Sequence, residues 1–363
     1  MFIIRGIKMK FIHMADMHFD APFRSLDRSQ FLGEQRRIEQ REAFSRIVEY
    51  IKENQITYLF ISGDLYEQEY IKRSTIEYIV EKLKEIPDTH IFIAPGNHDP
   101  YLKNSYYQTY SWPDNVHIFG PTLERIETKD AVIYGFGFSD FYCKDSGIHQ
   151  KIEEQKPSIL VMHGSVDSGK VVDQEYNPLT SKEIEALGFD YIALGHIHKK
   201  DSKEDRCWHY PGSTISMGFD ELGNHGVLVG EVQKGKREIR FLKIDSKEYI
   251  EKRIDISDIY SQEALYEAIS YENYEKSKFY KIILEGTKNF EVDILALFSL
   301  LQIPQILKIR DETKLNYSLE SIAKEQTLKG IFIKNLLEKL QNSPEKKQRI
   351  EKAIQYGLDS LEG

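Results

Sequence analysis

Five short motifs in the chain contain the residue types that bind divalent metal ions. They are Asp16-Met17-His18, Gly63-Asp64, Gly96-Asn97-His98-Asp99, His163-Gly164 and Gly195-His196-Ile197-His198. Mixed carboxylate, amide and imidazole ligands suit Mn²⁺, Fe²⁺ or Zn²⁺, and not an all-oxygen calcium or magnesium site. Seven such ligands are too many for one tetrahedral ion with an open position. With one bridging carboxylate they suffice for two ions roughly 3.5–4 Å apart, the arrangement used for phosphoryl-transfer chemistry.

Each motif directly follows a short apolar segment that is typical of a buried β-strand. These segments are residues 10–14, 58–62, 90–94, 158–162 and 191–194, and residues 131–136 form a sixth of the same kind. They are rich in Ile, Val, Phe or Tyr and are bounded by Gly, Pro or Asp. Because the carboxyl ends of parallel strands lie at one edge of a sheet, we expect the polar residues of all five motifs to meet there.

Helical patterns separate the first three of these strands. Apolar residues recur with the spacing i, i+3, i+4, i+7, at Phe44, Ile47, Val48 and Ile51 and again at Ile76, Ile79, Val80 and Leu83. The order strand–helix–strand predicts βαβ units and an α/β fold in which helices cover the sheet. The strands are continuously apolar rather than alternating, which indicates that both faces of the sheet are buried.

The remainder of the chain changes in character twice. A length of 363 residues favours two or three domains. Residues 226–232 and 238–244 predict a hairpin across Lys234-Gly235, and residues 279–284, 292–301 and 305–309 predict the strand, helix and strand of a small α+β unit. The chain from Leu319 onward is highly charged and predicts helices. We therefore predict domains at residues 9–247, 248–315 and 316–363.

Composition excludes several classes of protein. The chain has 49 Lys and Arg against 58 Asp and Glu, a formal net charge of −9, which argues against a protein that holds nucleic acid by bulk electrostatics alone. Two cysteines, Cys143 and Cys207, cannot form a disulfide framework, so we expect a reducing, cytoplasmic environment. No apolar run approaches the roughly 18 residues of a membrane span, and we expect no membrane association.

The motifs together resemble the calcineurin-like metallophosphoesterase superfamily over about residues 9–244. Residues 15–23, 62–66, 96–100 and 210–213 are similar to its DNA-repair exonuclease branch, the SbcD/YhaO type. The resemblance implies an α/β core arranged as an α+β sandwich with a dinuclear metal site at the strand ends, followed by a small α+β cap domain and C-terminal helices. It also implies DNA as the substrate, two Mn²⁺ ions as cofactors and an SMC-like coiled-coil ATPase of the SbcC/YhaN type as the partner. Members of this branch are often homodimers.

The resemblance assigns a role to each residue of the motifs. One ion is expected on Asp16, His18 and His198 and the other on Asn97, His163 and His196, with Asp64 bridging the two. His98 matches the catalytic histidine, which lies beside the ions and protonates the leaving oxygen or steadies the phosphate. Asp99 is expected to orient His98.

Two residues near the motifs are candidates for contacts with DNA. Tyr101 opens a tyrosine-rich segment, residues 101–110, that would stack on bases, although a chain with 22 tyrosines clusters some of them by chance. Lys199 follows His198 and would contact backbone phosphates, although the acidic residues shortly after it are equally typical of a solvated loop.

Three functions remain open on the sequence alone. The first is a two-metal DNA phosphodiesterase, the nuclease subunit of a repair complex, with exonuclease activity and room for endonuclease activity as well. The second is a small-molecule or cyclic-nucleotide phosphoesterase, for which a core of roughly 250 residues would suffice. The third is an adaptor for the ATPase with weak catalysis. The complete ligand set favours an enzyme over the adaptor.

Overall fold

The structure, a computed structural model, describes residues 8–23, 30–145, 147–148, 150–168, 175–200, 205–315, 319–342 and 346–362. In chain order the elements are β1 (Met9–Met14), α1 (Gln30–Asn54), β2 (Tyr58–Ile61), α2 (Arg73–Lys84), β3 (His90–Ile93), α3 (Tyr106–Thr109), β4 (Val116–Ile118), β5 (Glu124–Glu127), β6 (Val132–Gly135), β7 (Ser158–His163), α4 (Ser181–Ala186), β8 (Tyr191–Gly195), β9 (Trp208–His209), β10 (Gly226–Gln233), β11 (Lys236–Lys243), β12 (Glu248–Asp255), α5 (Gln262–Ser270), β13 (Lys278–Glu285), β14 (Thr287–Lys288), α6 (Ile294–Leu301), β15 (Ile306–Asp311), β16 (Lys314–Leu315), α7 (Leu319–Ile322), α8 (Leu328–Asn342) and α9 (Lys347–Glu362). All six apolar segments of the first two hundred residues form the predicted strands, and the α/β fold class is confirmed.

The first sheet has six strands in the order β11-β10-β1-β2-β3-β4. Strands β1 to β4 are parallel, and the β10–β11 hairpin adds to the free side of β1 in antiparallel pairing. The hairpin turns at Lys234-Gly235, as predicted, and Gly235 takes a φ of 73°, which glycine adopts without steric cost. Helix α2 buries Ile76, Ile79, Val80 and Leu83, the face predicted from their spacing.

The second sheet has five strands in the order β5-β6-β7-β8-β9. Strands β6 to β9 are parallel, and β5 pairs with β6 in the antiparallel direction. The expectation that all five polar motifs lie at the edge of one sheet is therefore wrong. Three motifs follow β1, β2 and β3 of the first sheet, and two follow β7 and β8 of the second.

The two sheets pack face to face through a common core. Alternate residues of the first sheet, such as Phe11 and Phe60, are fully buried in one cluster with alternate residues of the second, such as Val161 and Ala193. This is the packing of a sandwich, in which each sheet contributes every second side chain to the shared interior. The opposite face of the second sheet is buried in another apolar cluster, so these strands are covered on both faces as predicted.

The chain divides into two compact units. The first comprises the residues up to Glu251 together with residues 274–281, and the second comprises residues 252–273 and those from Ile282 onward. In the second part of the chain, β13, α6 and β15 occupy the segments predicted as strand, helix and strand. The predicted domain boundaries at residues 247 and 315 stay predictions, and residues 316–318, where the third predicted domain begins, lie outside the described residues.

The C-terminal helices have an apolar core of their own within the second unit. Helices α7, α8 and α9 bury Ile322, Ile333, Ile350, Ile354 and Leu358 together. Ile331, in contrast, is 58% exposed on α8. No helix among the described residues has both the length and the apolarity to cross a membrane.

Candidate metal centre

The carboxyl ends of five strands bring the predicted ligands to one place in the first unit. Asp16 and His18 follow β1, Asp64 follows β2, Asn97 follows β3, His163 ends β7, and His196 and His198 follow β8. The acidic and imidazole groups at its centre are removed from water, since Asp16 and His163 are fully buried and Asp64 is 1% exposed. A buried group of charges at a strand edge needs partners of opposite sign or bound cations to be stable.

The backbone that carries these side chains is strained. Asp16, His18 and Asp64 have φ values of 51°, 49° and 52°, and His196 has a φ of 104°, all in the left-handed region that non-glycine residues seldom occupy. Hydrogen bonds between the strand ends hold these conformations: His18 N donates to the Asp64 carbonyl at 2.9 Å, and His196 N donates to the Asp16 carboxylate at 3.0 Å. Such strain is concentrated at functional sites, where the surrounding structure enforces it.

Two glycines let the strand ends approach each other. A side chain at Gly63 would collide with the imidazole of His163, and one at Gly96 would collide with the Asp64 carboxylate. Gly63 also has a φ of 87°. Gly63 is therefore required by space as well as by the turn, and Gly96 is required by space.

The Asp64 carboxylate lies between imidazoles that come from different strands. Its Oδ2 atom is 3.4 Å from His163 Nε2 and 3.8 Å from His18 Nε2. On one side His18 Nε2 is 3.1 Å from His198 Nε2, and on the other His163 Nε2 is 2.9 Å from Asn97 Oδ1. This central position is the one expected of a carboxylate that bridges two ions.

The acidic and imidazole donor atoms of the described residues form three overlapping groups, one of which joins His18 to Glu67 and His98, outside the predicted ligand set. One ligand atom from each of Asp16, His18 and His198, and likewise from each of Asp16, Asp64 and His163, lies within 4.8 Å of the others. Two imidazole nitrogens that face each other at 3.1 Å, as those of His18 and His198 do, need a proton or a cation between them. The donor set therefore fits two divalent ions.

Each of the three best-placed imidazoles has its other nitrogen fixed by an acceptor. Those acceptors are Glu67 Oε1 for His18 at 2.8 Å, the Ser62 carbonyl for His163 at 2.9 Å and Glu221 Oε1 for His198 at 2.5 Å. In each case Nδ1 is the nitrogen that is engaged, so the proton is held there and Nε2 keeps its lone pair for a metal. Carboxylates and carbonyls in this position orient metal-binding histidines and raise their basicity.

Glu67 and Glu221 contact the candidate site through its histidines, and the sequence motifs do not reveal them. Burial opposes the charged form of Glu221, but its hydrogen bond to His198, the charge of His198 and the hydrogen bonds from Ser213 and Met217 N together outweigh burial and lower the pKa of Glu221 to about 2. The same balance, with hydrogen bonds to His18 and His98, lowers the pKa of Glu67 to about 2. The only sequence signal for Glu67 is its place three residues after Asp64 in the same turn, and Glu221 lies 23 residues from the histidine that it contacts.

His98 lies beside the predicted ligands and faces the solvent. Its side chain is 44% exposed, and its ring centroid is 4.8 Å from that of His18. Its Nδ1 atom is 2.9 Å from Glu67 Oε2, so Glu67 holds both His98 and a predicted metal ligand. Burial lowers the pKa of His98, but the hydrogen bond to Glu67 and the charge of Asp64 outweigh it and raise this pKa to about 9. A cation on the neighbouring ligands would bring the pKa back down.

The predicted role of Asp99 is corrected by its contacts. Its carboxylate is fully buried and accepts four hydrogen bonds. The donors are Gly96 N at 2.7 Å, Asp64 N at 3.0 Å, Leu65 N at 2.7 Å and the Tyr107 hydroxyl at 2.5 Å. Consecutive side chains in this turn point in different directions, so Asp99 ties the end of β3 to the end of β2 while Glu67 orients His98. Burial and the charge of Asp64 raise the pKa of Asp99 to about 8.

The two predicted DNA contacts lie apart from the cleft that opens over the predicted ligands. Tyr101 is half-buried and its N–H donates to the Phe138 carbonyl at 2.7 Å, whereas Lys199 is exposed. Neither residue is among the described residues that line the cleft. Their contacts with substrate stay predictions.

The cleft itself has a volume of about 620 Å³ and is lined by candidate ligands and by aromatic side chains. Its floor contains His18, Asn97, His98 and His198, and its walls include aromatic side chains that the sequence motifs did not indicate. Those side chains are Tyr70, Phe141, Tyr142 and Tyr176. The cleft gives a phosphoester direct access to the predicted ligands.

Comparison with known proteins agrees with this geometry. Residues 9–200, more than half of the chain, match the family model of calcineurin-like phosphoesterases. The chain is 24% identical over 274 residues to the uncharacterized metallophosphoesterase YhaO of Bacillus subtilis (strain 168), and the match covers 72% of this chain and 66% of that protein, a little under two thirds of its length.

A solved structure gives a weaker likeness. The crystal structure of TT1561 of Thermus thermophilus aligns with a TM-score of 0.38 and 11% identity, over 64% of this chain and 98% of that one. The family assignment therefore depends on the family model, which spans the strand ends from Asp16 to His198. The chain belongs to the calcineurin-like phosphoesterase family.

Proposed function

We propose that the chain is a metal-dependent phosphodiester hydrolase that cleaves DNA from its ends as the nuclease subunit of a repair complex. The observation that carries the hydrolase is the position of the Asp64 carboxylate, 3.4 Å from His163 and 3.8 Å from His18, next to a cleft that His18, Asn97, His98 and His198 line. The family match supports a phosphoesterase. The DNA substrate and the repair role are the further steps of the proposal.

The ligands would divide between two ions as the motifs suggest. Asp16, His18 and His198 would hold one ion, Asn97, His163 and His196 the other, and Asp64 both. The mixture of imidazole, carboxylate and amide donors suits Mn²⁺, Fe²⁺ or Zn²⁺, and the resemblance to the nuclease branch favours Mn²⁺ among them. When bound, such a pair of ions supplies an activated water and neutralises the charge of the phosphate.

The chain itself supplies a proton donor and its support. His98 stands in the cleft at the side of the predicted ligands, and the hydrogen bond to Glu67 fixes its Nδ1 atom, so Nε2 is the nitrogen that faces a substrate. A protonated His98 would donate to the leaving oxygen of the phosphodiester, the step for which general acids contribute about 10²- to 10⁴-fold in rate.

The second unit supports the proposed partner, an SMC-like coiled-coil ATPase. Several apolar side chains of α6 and α8 are largely exposed: Leu295 72%, Leu300 59%, Leu328 72% and Ile331 58%. Apolar surface of this kind is available for helix-to-helix contacts with a partner. Cys143 and Cys207 are both free thiols, which supports a cytoplasmic setting for the complex.

The test uses the purified chain with Mn²⁺ and end-labelled DNA, single-stranded and duplex. Wild type is expected to release nucleotides, whereas Asp64→Ala and His98→Leu are expected to be inactive. Bis(p-nitrophenyl) phosphate is the matched small substrate, because it needs the same hydrolysis and no DNA contact. Hydrolysis of this diester without any cleavage of DNA would replace the nuclease with a small-molecule phosphoesterase. Fewer than two ions per chain at saturating Mn²⁺ would favour the adaptor.

A further inference from the structure

Three aromatic side chains line the cleft, and we call them the aromatic wall: Phe141, Tyr142 and Tyr176. Phe141 is 39% exposed and Tyr142 is 54% exposed, although both are large side chains that folding normally covers. All three line the cleft that contains His18, His98 and His198. Adjacent exposed aromatic side chains at the mouth of a site are typical of a ligand-binding surface.

The wall begins directly at the predicted metal ligands. The ring of Tyr176 lies 4.7 Å from the ring of His196, and the ring of Tyr142 stacks on Tyr176 with centroids 6.0 Å apart and an interplanar angle of 24°. One face of Tyr142 is thus covered by Tyr176, and its exposed remainder borders the cleft. A planar group that stacks on Tyr142 would lie in the same cleft as His18, His98 and His198.

The segments that carry the two tyrosines are bonded to each other. Cys143 N donates to the Glu175 carbonyl at 2.9 Å, and Asn177 N donates to the Cys143 carbonyl at 2.5 Å. Backbone hydrogen bonds on both sides of Tyr176 therefore hold the two segments together. The stacked pair does not depend on a chance arrangement of side chains. A preformed surface binds a ligand without first losing conformational entropy.

The charges around the cleft point to the kind of ligand. Among the described residues that line it, none is a lysine or an arginine, and Glu67, Glu69 and Glu221 are acidic. Apart from the imidazoles of His18, His98 and His198 beside the predicted ions, the described lining residues offer a nucleic-acid backbone no cationic side chain, so contacts with bases would add affinity that flanking phosphates do not find here. Aromatic stacking on bases is the sequence-tolerant alternative.

We propose that the aromatic wall is a subsite for an unpaired nucleobase on the nucleotide next to the scissile phosphodiester. This inference rests on the proposed function, because it names the part of the substrate that this site recognises. A base inside a duplex has both faces covered by its neighbours and cannot stack on Tyr142. The wall therefore selects single-stranded or frayed ends.

Binding is tested first, without turnover. A dinucleotide that contains 2-aminopurine is titrated into the metal-free chain in EDTA, and stacking is followed by the quenching of its fluorescence. Wild type and Tyr142→Phe are expected to quench the probe, and Tyr142→Ala is expected to bind it about 5- to 150-fold more weakly. Tyr260→Ala removes a 70% exposed tyrosine outside this cleft and is expected to behave like wild type.

Turnover is tested with a pair of single-stranded substrates that differ only in the terminal base. One carries a normal terminal nucleotide and the other an abasic residue. Wild type is expected to prefer the base-bearing strand in kcat/KM, and the ratio between the two substrates is expected to fall by about 5- to 150-fold in Tyr142→Ala through KM. Tyr142→Phe is expected to keep the ratio, since it keeps the ring.

The outcomes separate the inference from the proposed function. If wild type cleaves DNA but Tyr142→Ala keeps both the ratio and the quenching, the aromatic wall is not a base subsite. Loss of the ratio in Tyr142→Phe as well would assign the effect to the hydroxyl and overturn the stacking. If wild type hydrolyses only bis(p-nitrophenyl) phosphate, the proposal of DNA as the substrate is wrong. Quenching by wild type that is lost in Tyr142→Ala would then still support a base-binding wall. Absence of quenching by wild type would overturn the wall as a base subsite.

Discussion

Two histidines in neighbouring regions of the first unit differ in what their ring nitrogens contact: His13 is fully buried, and His198 keeps 33% of its side chain exposed. His13 lies in the interior of β1, fully buried, with Nδ1 2.9 Å from the Tyr191 hydroxyl and Nε2 3.1 Å from the Leu194 carbonyl. His198, at the end of β8, has Nδ1 on Glu221 while its Nε2 faces another imidazole.

The two environments move the pKa in opposite directions. Burial, and then the nearby charge of His209, lower the pKa of His13 to about 3, so this imidazole stays neutral. Burial also disfavours the charged form of His198, but Glu221 and Asp16 outweigh it and raise its pKa to about 9. Residue type and desolvation therefore do not by themselves distinguish a structural histidine from a candidate ligand. The distinction lies in the carboxylates that face it.

Removal of the central carboxylate should have the largest effect. Asp64→Asn keeps the shape of the side chain but removes the charge between His18 and His163, so we expect loss of one or both ions and a fall of about 10³-fold or more in the hydrolysis of bis(p-nitrophenyl) phosphate. Metal content per chain, measured by mass spectrometry, checks the cause. Full metal content with full activity in this variant would contradict the central role of Asp64.

His98→Asn should lower kcat by about 10²- to 10⁴-fold and leave the metal content unchanged, because His98 is expected to donate a proton rather than to hold an ion. His117 offers the matched control, since it too is a partly exposed histidine paired with a glutamate, 3.0 Å from Glu124. His117→Asn should keep wild-type kcat. A loss of metal in His98→Asn would move His98 into the ligand set.

Glu221→Gln should weaken metal binding by about 10- to 100-fold, because the amide no longer holds a proton on His198 Nδ1 as strongly as the carboxylate does. Titration calorimetry with Mn²⁺ measures the change. Glu124→Gln is the matched control, because Glu124 pairs with His117, which is not a predicted metal ligand. This variant should leave the affinity for Mn²⁺ unchanged. Equal affinities in Glu221→Gln and wild type would show that His198 does not need this carboxylate to bind the ion.

The smallest effect is expected at His13 and concerns stability. The unfolded chain binds a proton at His13 near pH 6.5, whereas the folded chain does so only near pH 3, so stability is lost as the pH falls through this window. Between pH 7.5 and 5.5 the free energy of unfolding should decrease by about 1 kcal/mol more in wild type than in His13→Gln. Urea unfolding in EDTA measures both slopes; identical slopes would exclude a neutral buried His13.

The strands and the ligand set were accessible from sequence because their signals are local. Each apolar segment of four to six residues predicts a buried strand, and the polar residues follow within one to four positions of its end. The helical face of Ile76, Ile79, Val80 and Leu83 is encoded in the same way. Shorter elements such as β9, with two residues, and the polar strand β5 lack a sufficient pattern and were not predicted.

The error about one sheet has a physical reason. A continuously apolar segment indicates that both faces of its strand are buried, but it does not indicate which strand lies beside it. Phe60 and Val161 have the same local pattern, yet the first belongs to the six-stranded sheet and the second to the five-stranded one. Strand ends from two packed sheets can meet just as well as those from one, so the ligands converge in spite of the wrong sheet assignment.

The sequence by itself determined which side chains are candidate ligands, because each of them is placed by the strand just before it. Only the tertiary structure decided their partners: Glu67 lies 49 residues from His18, and Tyr142 stacks on Tyr176 from another segment of the chain. The tertiary structure also decided that Asp99 binds the backbone at the end of β2 and that Glu67, rather than Asp99, binds His98. Contacts between distant segments depend on how the sheets pack, and a local pattern of apolar and polar residues carries no information about that packing.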